Sequence, residues 1–358
     1  MKLLDQYIVG KFLKTYLFVV LILVSVICVI DFTEKNEDFI QHNLGASDIV
    51  MGYYRHLFPY WASLLSPITV FIATVFVTAQ MASHTEVIAI LSSGVSFRRM
   101  MVPYLIGSAL IGMLNFALVS YVIPNSNKVR IAFERKYVKS PFYFEERNIH
   151  LKVAPNTYVY MDSYTNVTNS GYRFTMEDIE GTTLKRKLES ERITWDSTKR
   201  KWQIANYKLR TFEGDRETLS YGTGMDTVLN LKPKDFDSNY MLYETFTLPE
   251  LDDFIRELQS RGSDGVVTYQ IEKYVRFTSP FAIIILCMIG VIVSARKSRG
   301  GVGFQIAFGF VLAFVYIIFF IMTKTIAEVG GLNPIVGVWI PNVVFALVGV
   351  LLYKTVPR

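Results

Sequence analysis

Four histidines, His42, His56, His84 and His150, and two cysteines, Cys28 and Cys287, are the side chains on which metal or thiol chemistry would draw first. No histidine has a partner at ligand spacing, so no metal site is expected. Both cysteines sit inside apolar runs, which argues against a disulfide framework. The chain has no glycine-rich loop ending in Lys-Ser/Thr to cradle a nucleotide phosphate, and no His-Glu-x-x-His. It therefore reads as having no catalytic residues and no cofactor of its own. The spacing that stands out is in the stretch from Ser83 to Gly94. Ser83 and Glu86 are three apart, as in a capping box, and Gly94 fits the residue just past a helix end. A short surface helix is expected there. It is either an interfacial connector, with Glu86 merely capping, or a docking helix that presents Glu86 to a partner. On spacing alone the connector is the simpler reading.

The surrounding elements are apolar. Of 358 residues, 51% are hydrophobic, and the net charge is +6. The mean hydropathy is +0.30. The basic residues form no stripe on an aromatic-rich domain, so nucleic-acid binding is not implied. Many instead flank apolar runs long enough to cross a bilayer, which takes about 20 residues. Six such runs are expected, at about 12–30, 57–79, 102–123, 277–295, 302–322 and 335–353. Short segments on one side carry Lys2, Lys11, Lys14, Arg98, Arg99, Arg296, Lys297, Arg299, Lys354 and Arg358. The other side's short loops carry Lys35, Arg55 and Lys324. An excess of Lys and Arg marks the cytoplasmic side. Both termini are then inside, and the long insert between spans three and four is outside. The first run is followed by Asp31 and Glu34 rather than by a small-residue cleavage site, so it reads as an uncleaved anchor.

The insert reads as β. Residues 150–160 are strand-like, with Leu151 and Val153 alternating with polar neighbours. Residues 192–195 and 202–212 suggest a hairpin across the polar turn that begins at Asp196. Glu213, Gly214 and Asp215 suggest another turn. Within residues 248–259, Leu251, Phe254, Ile255 and Leu258 recur at helical spacing, predicting an amphipathic helix that leads back to the membrane. The fold class is thus an α-helical membrane protein with six transmembrane helices. An all-β, jelly-roll-like domain is inserted between helices 3 and 4. Its parts are 1–123 (three spans, with the short helix near 83–94), 124–247 (the β domain), 248–273 (amphipathic helix and connector) and 274–358 (three spans). Mild polar residues sit within the spans, at Ser25, Asn115, Gln305 and Asn342. They either hydrogen-bond between helices or line a cavity.

Three local patterns resemble the lipopolysaccharide export permeases of the LptF/LptG (YjgP/YjgQ) type. They are Asp5, Gln6, Tyr7 and Ile8 with Phe12 and Leu13; Glu86, Ala89 and Gly94; and Trp339, Ile340, Pro341 and Asn342 after Gly330 and Gly331. The order of three spans, a β insert and three spans agrees. The resemblance implies an inner-membrane subunit of an exporter that extracts lipopolysaccharide and passes it to a periplasmic bridge. ATP would be used by a separate cytoplasmic ATPase dimer, docked through Glu86, Ala89 and Gly94. It also implies a second permease subunit or a second copy, with helices one and five at the contact, and a single-span periplasmic jelly-roll partner. Members can carry basic residues at the outer end of span one. Here that region holds Asp31, Glu34, Lys35, Glu37 and Asp38 and is net acidic. Arg55, Lys273 and Arg276 are therefore the candidates for the anionic lipid. The alternative function is a membrane scaffold or sensor whose β domain binds an envelope protein.

Overall fold

The computed structural model describes residues 3–139, 143–214, 216–237, 241–261, 265–295 and 301–354. Lys2, Asp215, Arg296, Lys297, Arg299 and Arg358 lie outside them. The chain forms two compact units. One draws on residues 1–138, 243–255 and 265–358, the other on 139–242 and 256–264.

The first unit is helical. Six of its helices, among the described residues, are long and apolar enough to cross a membrane. Helix α1 (Leu3–Gln41) runs unbroken for 39 residues. Asn43 ends it in the left-handed conformation, with Asn43 N–H on the Ile40 carbonyl and Leu44 N–H on that of Phe39. After α2 (Ala46–Ile49) and a π-helical turn (Val50–Tyr54) come α3 (Arg55–Leu64) and α4 (Ser66–Ser83). The run expected as one second span is broken at Leu65, because Pro67 supplies no N–H to the carbonyl four residues back and its ring crowds that carbonyl. Helix α5 (Glu86–Ser92) is short. Helix α6 (Phe97–Ala117) passes through a second π turn (Leu118–Val122) into α7 (Ile123–Tyr137). Residues 124–137, expected in the β domain, are therefore helical. Hydropathy marks only the apolar part of a helix whose backbone bonds continue into polar sequence.

Helix α8 (Leu248–Arg261) is the expected amphipathic helix, with Leu251 and Ile255 buried. Helix α9 (Val266–Ser294) begins within what was expected to be a connector. Helices α10 (Gly301–Glu328) and α11 (Pro334–Lys354) complete the unit. Helix α9 is the centre, packing on α4, α6, α10 and α11. Its backbone comes close to α6, since a Cβ at Gly112 would lie 3.3 Å from the Pro280 Cα. The core at the end holding α5 joins Ile8 and Phe12 of α1 to Met81, Val87, Met100 and Tyr104.

The second unit holds one six-stranded antiparallel sheet, the inserted β domain of the expected fold class. Strands β1 (Arg147–Ala154), β2 (Thr157–Thr165), β3 (Ser170–Glu180), β4 (Thr183–Asp196), β5 (Lys201–Glu213) and β6 (Arg216–Thr227) pair in chain order. The stretch 150–160, expected as one strand, is two. Pro155 and Asn156 turn the chain, and Leu151 pairs with Val159. The hairpin after Trp195 is present, with Trp195 opposite Trp202. One face is apolar, with Val153, Val159, Met161, Phe174, Leu188 and Ile204 buried. Tyr164 stacks on Phe236 and Trp202 donates to the Leu231 carbonyl, closing that core.

Candidate coupling segment and polar network

Helix α5 is built by a turn, not by the expected capping box. Helix α4 ends at Ser83, whose hydroxyl donates back to the Gln80 carbonyl. Thr85 then takes φ +62°, and Glu86 becomes the first helical residue rather than the third. Gly94 sits at φ +86° past the helix end, as its spacing suggested, with its N–H on the Leu91 carbonyl. Val87 turns into the core while Ile88 and Ala89 face outward. The Glu86 carboxylate turns towards α1. Tyr7 OH donates to it at 3.1 Å, and Lys11 Nζ lies 3.7 Å away. Close by, Arg99 of α6 donates from both terminal nitrogens to the two oxygens of Asp5, each at 2.7 Å. Asp5 is buried. Arg98 donates to Tyr353 near the end of α11.

Towards the opposite end of α1 lies a buried polar network. Lys35 pairs with Asp31 at 2.7 Å and Glu134 at 3.3 Å, and it contacts the Tyr53 hydroxyl, which donates to Glu134. Arg130 bridges Glu134 and Glu244, at 3.4 and 2.7 Å. Its guanidinium also lies 4.6 Å from the Tyr60 ring centre, and Tyr60 OH donates to Glu244. Burial raises the Glu244 carboxyl pKa, opposed by the Arg130 charge. A cavity of about 480 Å³ adjoins this network, reaching from Tyr60 and Glu244 to Leu65, Asn115, Phe320 and Lys324. The break at Leu65 and Val119 of the second π turn both line it. Irregular backbone at membrane depth is tolerated where it is buried in protein or lines such a space.

The family described as lipopolysaccharide export system permease LptF/LptG matches the chain over residues 6–355. The chain belongs to that family. No individual curated protein matches it. An LptF/LptG permease is a component of lipopolysaccharide export, and this one, with six apolar helices, is a multi-pass inner-membrane protein.

The three basic residues that the sequence suggested for lipid have different surroundings in this LptF/LptG permease. Arg55 is exposed at the start of α3. Lys273 pairs with Asp252 at 2.6 Å. Arg276 is buried and committed to the chain itself, donating to the Phe246 and Tyr243 carbonyls and to Glu272. It fixes the turn before α8 while lining the cavity. Of the mild polar residues, Asn115 accepts from Ser63 and donates to Ser279, joining three helices at the cavity wall. Asn342 accepts from Tyr316 and donates to the Thr278 carbonyl. Sequence reasoning missed the Asp5–Arg99 pair and the Arg130–Glu244 bridge, whose partners lie 94 and 114 positions apart. A lone acid before an apolar run and basic residues opening another were the available signals.

Proposed function

We propose that this permease couples ATP hydrolysis by a separate cytoplasmic ATPase dimer to extraction of lipopolysaccharide. The lipid then passes through the β domain to a periplasmic bridge. The single observation that carries the reading is the family match along nearly the whole chain. Helix α5 supports the docking role, since Ile88 and Ala89 are exposed beside Glu86 and Gly94. The charge asymmetry of the short loops supports cytoplasmic termini and a periplasmic insert. The second six-span subunit is a relative or another copy, and a single-span jelly-roll protein joins on the periplasmic side.

The energetics favour a continuous apolar route. At about 0.8 kcal/mol per buried CH₂, bringing several acyl chains into water costs tens of kcal/mol. The lipid must therefore move from bilayer to apolar slot. On the sheet, Val153 and Ile204 are core, whereas Leu151 and Leu209 are half-buried on the same apolar cluster and suit a slot edge. The exposed Arg55 is the best placed of the three basic candidates to meet a phosphate.

Purification from the native host in mild detergent tests the reading. The expected result is an ATPase near two copies, a second six-span subunit and bound lipopolysaccharide. A lone chain with neither ATPase nor glycolipid would overturn it.

A further inference from the structure

We propose that the start of α1 is a two-point clamp, tied to α5 through Glu86 and to the start of α6 through Arg99, that transmits displacement of the α5–α6 segment to the whole of α1, with Asp5, Arg99, Tyr7 and Lys11 as positioning residues. This rests on the reading of α5 as the ATPase-facing element. The first point is Asp5 with Arg99. Both carboxylate oxygens are engaged by two guanidinium nitrogens at 2.7 Å, and Asp5 is only 4% exposed. A two-bond fork fixes orientation as well as distance, so α1 cannot rotate at this position without breaking it. The second point is Glu86 with Tyr7 and Lys11, one turn further along α1. Lys11 also donates to Tyr7, and His84 lies 4.0 Å from Glu86, so these side chains form a partly exposed cluster. Ile8 and Phe12, both fully buried, pack between the two points against the α4, α5 and α6 core.

The rest of α1 can move as one piece. It contains no proline and is continuous from Leu3 to Gln41. Only 11% of its apolar stretch is buried inside the chain, against 67% for α4 and 56% for α9. A helix so lightly packed along its middle is directed from its ends. The far end is tied by Lys35 to Glu134 of α7. Motion of the α5–α6 segment would thus reach the network beside the cavity through α1. The residues that opened the family-like pattern at the chain start, Asp5 and Tyr7, are the ones making the clamp.

Charge exchange in the reconstituted complex tests this. Asp5→Arg and Arg99→Asp are each expected to leave ATP hydrolysis near the parental rate while ATP-dependent lipid release to an acceptor falls roughly tenfold. The double exchange is expected to restore release. Tyr7→Phe, which keeps the ring and removes only the hydroxyl, is expected to lower release without altering thermal stability. Unchanged release in the single variants, hydrolysis falling in step with release, or no recovery in the double exchange would each overturn the proposal. Amide exchange on the purified chain without partners separates the clamp from the exporter reading. Asp5→Asn and Tyr7→Phe should speed exchange in residues 86–93, and parental exchange there would remove the clamp. A parental complex with no ATP-dependent release would instead remove the exporter reading, and with it transmission.

Discussion

Arg130 shows how much of this permease rests on single side chains. Its guanidinium serves Glu134 and Glu244, all three nearly inaccessible. Removing one partner of a buried ionic group leaves the others desolvated and uncompensated, at about 3–5 kcal/mol. Arg130→Leu should therefore lower thermal stability in detergent by that order. Arg130→Lys keeps the charge but not the planar fork, and should fall between. A parental melting temperature for Arg130→Leu would mean that the bridge adds nothing to stability. Glu250 gives a pH-dependent counterpart at the start of α8. It accepts the Thr247 N–H at 2.8 Å, and that bond, with help from Lys128, holds its carboxyl below the ordinary value of 4.5. A lowered carboxylate contributes stability that is present above the unfolded value and is lost as pH falls through the folded one. The first turn of α8 should keep its amide protection, taken relative to the intrinsic exchange rate at each pH, from neutrality to near 4.5 and lose it below. In Glu250→Gln, that protection should be lower at neutrality and nearly flat with pH.

The elements were more legible than their junctions. Six apolar runs marked six spanning helices, because a bilayer demands length and hydropathy and both are local properties. Where each helix stops is decided by capping and by polar contacts that a hydropathy window does not register. Helix α7 continues to Tyr137 because Asn127, Arg130 and Glu134 find buried partners on other segments. The short α5 is legible from Gly94, but the Ser83–Glu86 spacing places Glu86 third in the helix where it is first, since a left-handed Thr85 is unusual for a β-branched residue. The strand alternation likewise gave the face and missed the turn at Pro155. A test at this scale is the contact of α11 with α10. A Cβ at Gly337 would meet the Ala327 Cβ at 2.6 Å and the Thr323 carbonyl at 3.0 Å. Overpacking of this kind costs about 1–3 kcal/mol, so Gly337→Ala should destabilise by that amount. Gly10→Ala, with nothing within 4 Å, should be neutral or slightly stabilising, which makes it the control for the same melting assay.

At the scale of the whole molecule, α1 and α10 are the spans of which the chain itself covers least, 11% and 22% of their apolar stretches, with α11 next at 28%. Leu17, Phe18, Leu21 and Val26 on α1, and Phe310, Phe314 and Ile318 on α10, are exposed. Lipid alone would satisfy such residues, since acyl chains are as apolar as leucine. The clamp argues for protein on at least part of this surface. A lever that moves α1 extracts lipid only if α1 moves against another body, and its own chain supplies little to push on. On the proposed exporter reading the second permease is that body, and we propose that α10 of one subunit faces α1 of the other. With Cys28 replaced by serine, Leu21→Cys on one subunit and Phe314→Cys on the other should form an intersubunit disulfide in membranes. Its yield should change when ATP is trapped in the complex. A disulfide insensitive to nucleotide would keep the interface and remove motion across it. No crosslink at Leu21 or at its neighbours Phe18 and Val26 would leave α1 facing lipid, and the coupling would then have to run through α4 and α9.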